Sequence, residues 1–149
     1  MPCNLRFAAK DFDVVASVEM LSIEPFSIWK QGETTGRGNA RKPFPKSGFS
    51  LSLSDAGFDL FEQQVAEVIT FIKAHKRDFN LIRDLGGCLQ EVELWLDFGL
   101  DTRMFAVGVQ IDYVPVELIG LCAEMSAGIK LSQYSSHRLE EEDGDESPA

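Results

Sequence analysis

The amino-acid sequence predicts an α+β fold: an antiparallel or mixed sheet with helices mainly on one face, in a ferredoxin-like order with an extra N-terminal strand and helix. Three observations carry this. Phe49, Leu51 and Leu53 alternate with Ser50, Ser52 and Ser54, the pattern of a half-buried strand. Phe58, Phe61, Val65, Val68, Ile69 and Ile72 follow at helical spacing. Alternation then returns in "LQEVELWLDF", ahead of a second helical stripe after Pro115.

The elements follow in chain order. "NLRFA" sets Leu5 and Phe7 against Asn4 and Arg6 and reads as a short strand. Asp11 is placed to cap a helix whose apolar positions Phe12, Val15 and Val18, with Val14 and Leu21, recur at three and four and end before Pro25. A glycine-rich connection precedes the Phe49 strand. Asp55 opens the long helix, which restarts at Phe79, Ile82 and Leu85 and should stop at Gly86-Gly87. Next, Val92, Leu94, Leu96 and Phe98 point inward from one strand. "GLDTR" would turn into a second, with Phe105, Val107, Val109 and Ile111 inward, forming an antiparallel hairpin. Pro115 suits a helix start; Leu118, Ile119, Cys122 and Met125 form its buried stripe until Gly128, and "IKLSQY" closes the fold as a strand.

At 149 residues and 44% hydrophobic, the chain suits one core. The expected organisation is a single α+β domain over 1–136 and an acidic, disordered tail over 137–149, because "LEEEDGDESPA" holds six carboxylates in eleven residues with almost nothing apolar. No run of 18 apolar residues and no signal-like N-terminus occurs, which favours a cytoplasmic protein off the membrane. Cys3, Cys88 and Cys122 are odd in number and widely spaced, so neither a disulfide framework nor a zinc site is indicated, and no cofactor or metal is implied. The net charge of −10 repels nucleic acid at long range and raises encounter rates with a basic partner.

Several short segments carry a family resemblance. "LSIEP", the later "QGE", "FSLSLS", the long helix and "GIKLSQY" occur in the order and approximate spacing of the domain of unknown function 4279 family, which the chain resembles from roughly Leu5 to Tyr134, with Phe49 where a tryptophan is expected. The resemblance implies a bacterial α+β domain without an assigned reaction.

Two groups of residues are candidates for function. The first is the stretch "WKQGETTGRGNARKPFPK", residues 29–46, with five positive charges against Glu33. It fails as a P-loop, since Arg37 stands five residues after Gly32 where a second glycine is needed and no helix signal follows. It reads as an exposed connection, as a surface where Arg37, Arg41 and Lys42 hold an anion while Trp29 and Glu33 complete a pocket, with Lys30 and Gly32 of the same loop beside it, or as a seat for the acidic tail. The second is the outward face of the sheet, with Ser50, Ser52, Glu91, Glu93, Trp95, Asp97, Gly108, Gln110, Lys130, Ser132 and Tyr134. Trp95 and Tyr134 among Glu91, Glu93 and Asp97 suit a protein-binding surface, since large rigid aromatics are enriched at interface hot spots. Trp95 lying under another part of the chain or a second subunit is the alternative. Base stacking on RNA is disfavoured by the carboxylates that share the Trp95 face.

Catalytic signatures are absent: no GxSxG, HExxH or kinase-type pattern occurs. His75 reads as a helix-end residue, and His137 lies at the tail. The expected function is thus a non-catalytic protein-binding module of the inhibitor or immunity type, acting on a basic protein partner, with self-association left open. The second reading is a small-anion-binding or enzymatic domain built on the 29–46 loop.

Overall fold

A computed structural model describes residues 2–35, 42–104 and 106–135. The anionic tail and Arg37, Arg41 and Phe105 lie outside the described residues. The chain is α+β, and the described residues form a mixed five-stranded sheet and four helices.

The "NLRFA" segment extends to β1, Cys3–Lys10, and it is the middle strand. It pairs antiparallel with β5 (Ser47–Ser54) on one side and β6 (Gln90–Thr102) on the other. Cys3, Leu5, Phe7 and Ala9 face the core, which leaves Asn4 and Arg6 on the opposite side. β2, Ser27–Trp29, adds to the outer edge of β5, and β7, Gly128–Ser135, pairs parallel with β6, giving the order β2-β5-β1-β6-β7. Two short strands, β3 (Thr34–Thr35) and β4 (Lys42–Pro43), form a separate ribbon inside the glycine-rich stretch.

All four helices share one core with the inward side of the sheet. Val14 of α1 (Val14–Glu19), Phe61, Val65, Val68 and Ile72 of α2 (Phe61–Ala74), Phe79 and Ile82 of α3 (Lys76–Cys88), and Leu118 and Cys122 of α4 (Val116–Glu124) pack with Leu5, Phe7, Leu51, Leu96 and Phe98. The helical layer therefore covers one face only, as an amphipathic sheet requires.

Several boundaries differ from the sequence expectation. Asp13, not Asp11, caps α1 by accepting from the Ala16 N–H at 3.1 Å; Asp11 is left-handed (φ 55°), with its own N–H donated to the Gln31 side chain. Val14 takes the buried position while Val15 is 38% exposed. α2 starts at Phe61, because residues 55–60 form a turn that wraps the end of the sheet: Leu60 bonds back to Gly57, and the Asp101 N–H donates to the Phe58 carbonyl. α3 runs through Gly86 and Gly87 to Cys88, with Leu85 and Leu89 packed on the core; that packing offsets a glycine penalty of about 1 kcal/mol each.

The expected hairpin does not form. Alternation in β6 continues past Gly99 to the buried Leu100, so a single strand of 13 residues replaces strand and turn. The chain turns at Arg103, whose carbonyl accepts from Ala106 and Val107. Gln110, expected on a strand, closes this turn instead: its Oε1 accepts from the Arg103 N–H, and its Nε2 donates to the Asp101 carbonyl and to Asp112. Val107, Val109 and Ile111 are exposed rather than inward. The ferredoxin-like order thereby lacks its second hairpin strand, and β6 and β7 are parallel neighbours joined through α4.

Candidate functional site

The uncovered face of the sheet brings together residues from strands far apart in sequence. Arg6 on β1 sits opposite Trp95 on β6 and opposite Ser50 on β5. Its guanidinium carbon lies 5.9 Å from the Trp95 ring centroid and 4.4 Å from that of Trp29. Lys130 on β7 places its Nζ 5.5 Å from the Trp95 ring. The result is a row of alternating aromatics and cations across the sheet: Trp29, Arg6, Trp95, Lys130. Each such contact is worth about 0.5–2 kcal/mol and fixes the indoles in place.

Glycine makes the row possible at its β2 end. The Trp29 ring lies on Gly48, where an added Cβ would come within 2.3 Å of the indole and 2.4 Å of the Phe7 carbonyl oxygen. Trp29 is accordingly 7% exposed, with Phe44 tilted against it at 6.2 Å. At the other end of the face, Phe58 lies over Gly99 and meets the half-exposed Tyr134 edge-on at 5.6 Å.

The carboxylates expected to make this face negative are mostly engaged. Glu91, exposed and left-handed (φ 51°), pairs with Lys10 at 3.3 Å; Glu93 pairs with Lys46 at 3.2 Å; Asp97 accepts from the Ser132 hydroxyl at 2.6 Å. The face carries Arg6, Lys10, Lys46 and Lys130 beside Glu91, Glu93, Asp97 and Asp101, so it is balanced in charge. That overturns the carboxylate argument against RNA. What opposes base stacking is that Arg6 and Lys130 already lie over the Trp95 ring.

Between the row and Asp97 lies a shallow depression of about 380 Å³, lined by Asn4, Arg6, Ser50, Trp95, Asp97 and Lys130. Among the described residues, neither Arg6 nor Lys130 takes part in an ion pair.

The two candidate groups thus merge in part. Trp29 of the basic stretch joins Trp95 through Arg6. Lys30, Gly32, Glu33 and Lys42 are exposed around the β3–β4 ribbon, held by backbone bonds such as Gly32 N–H to the Phe44 carbonyl at 2.9 Å, with Gly32 at φ 85°. Sequence reasoning assigned Arg6 to no site. Its signal was present: an arginine between Leu5 and Phe7 must point away from the core, and once β1 is central it must share the Trp95 face.

Burial pushes the Cys122 thiol up to about 11 and raises Cys3 further; Cys88 is exposed. His75 at the α2–α3 junction stacks on Phe71 at 4.3 Å, with Nδ1 2.9 Å from the Phe71 carbonyl. Among the described residues, no helix is long and apolar enough to cross a membrane. No family model, curated protein or solved structure matches the chain.

Proposed function

We propose that this chain is a non-catalytic protein-binding module whose uncovered sheet face is the docking surface, in the manner of an inhibitor or immunity protein. One observation carries the reading: four helices pack on one side of the sheet, and the other side presents Trp95 between Arg6 and Lys130, with the buried Trp29 against the far side of Arg6. A rigid tryptophan with the half-buried Arg6 and the exposed Lys130 beside it suits a hot spot, because little side-chain entropy of the indole remains to be lost on binding. The net charge of −10 favours encounter with a basic partner, whereas the contact face is balanced. Salt should therefore slow association more than it speeds dissociation. The kinship with the domain of unknown function 4279 family belongs to this proposal and concerns architecture alone.

The test is quantitative capture of a stoichiometric protein partner by immobilised wild-type, Trp95→Ala and Arg83→Ala chains. Arg83 is exposed on α3, on the helical side. Trp95→Ala should weaken capture by more than about 1 kcal/mol while Arg83→Ala leaves it unchanged. Full capture by Trp95→Ala would remove this face from consideration.

A further inference from the structure

We propose that the depression at the centre of this face is a carboxylate-binding site, with Arg6 and Lys130 as its cationic ligands, and that it receives an acidic side chain of the docked protein. The inference rests on the reading of the uncovered face as the docking surface.

Donors dominate the depression. Arg6 brings five N–H donors and Lys130 three; Ser50 adds a hydroxyl and Trp95 an indole N–H. Among the described residues Asp97 is the sole charged acceptor there, and it already accepts from Ser132. Glu91 and Glu93, which share the face, are taken by Lys10 and Lys46, so Arg6 and Lys130 are the cations of this face without an ion pair among the described residues. Arg6 is half-buried between two indoles, which strip part of its water while leaving its guanidinium without an ion pair among the described residues. A guanidinium in that setting favours a planar, bidentate oxyanion. Charge selects among oxyanions. Asp97 inside the depression and a body at −10 penalise a phosphate near −2 more than a carboxylate at −1.

The chain's two tryptophans both stand in the row, so their emission reports on the site. The full chain is titrated with sodium acetate, and separately with inorganic phosphate, at pH 7 and constant ionic strength. The expected result is a saturable emission change with acetate, weaker binding of phosphate, and a loss of about tenfold or more in Arg6→Gln and Lys130→Gln. Asp97→Asn should bind acetate several-fold more tightly, a gain that misfolding cannot produce. Acetate responses that are linear, or unaltered in all three variants, would overturn the site, and tighter binding of phosphate would overturn carboxylate as its occupant. The titration needs no protein partner: its failure with Trp95-dependent capture intact removes this site alone, while its success with capture indifferent to Trp95 removes the docking reading.

Discussion

Replacing Gly48 with alanine tests the row at its foundation. The new Cβ would stand 2.3 Å from the Trp29 indole and 2.4 Å from the Phe7 carbonyl oxygen, both about 1 Å inside ordinary contact. The indole can tilt away, but the carbonyl belongs to the central strand and pairs across to β5, so the backbone must also yield. Overpacking of this kind costs about 1–3 kcal/mol. Loss of the Arg6–Trp29 contact adds about 1 kcal/mol. The sum, about 2–4 kcal/mol, lowers Tm by about 6–12 °C for a chain of this size. Gly99→Ala provides the contrast: its Cβ would meet the Phe58 ring at 2.5 Å, but that ring sits on the 55–60 turn and can swing out, with a backbone oxygen no nearer than 3.3 Å. It should cost about 1 kcal/mol or less. Thermal unfolding followed by circular dichroism and by tryptophan emission reads both. Equal effects, or a Gly48→Ala chain with unchanged Tm and emission, would refute the placement of Trp29 on Gly48.

Other consequences concern the frame. Gln64, fully buried, donates to the Gly57 and Gly99 carbonyls at 2.9 Å each and so ties the Phe58 turn to β6; Gln64→Leu should cost about 1–3 kcal/mol in urea unfolding and speed amide exchange across 57–60. Asp78 is 1% exposed; burial alone would raise its pKa, but hydrogen bonds from the Ser22 hydroxyl and from the Ser22 and Ile23 N–H groups, with Arg77 at 3.5 Å, hold it below the ordinary value. A lowered folded-state pKa contributes stability above the unfolded value of about 3.9 that disappears as pH falls through the folded one. Asp78→Asn should therefore cost about 1–3 kcal/mol at pH 7, and the gap to wild type should close as the pH falls below the unfolded value and through the lowered folded one.

The parts legible in the sequence are those that periodicity alone determines. The inward sets of β5 and β6 are set by alternation, and the core stripe of α2 by its spacing, because burial on one face leaves no other register. Tertiary contacts moved the boundaries: Gln110 supplies the hydrogen bonds a hairpin partner would have given, which lets the apolar run 107–111 remain outside the sheet. The outward parity of Glu91, Glu93, Trp95 and Asp97 was readable as well, but the sign of the face was not. Charge depends on which strands are neighbours, and alternation says nothing of neighbours. Only with β1 between β5 and β6, and β7 beside β6, do Arg6, Lys46 and Lys130 share a face with those carboxylates.

The most direct measurement of the account is ionic quenching of tryptophan emission, comparing iodide with caesium at equal ionic strength. Trp29 is 7% exposed, so the accessible signal comes from Trp95, flanked by Arg6 and Lys130. The account predicts that iodide quenches more strongly than caesium even though the chain carries −10. Stronger quenching by caesium, or emission shielded from both ions, would contradict an uncovered, cation-flanked indole on this face.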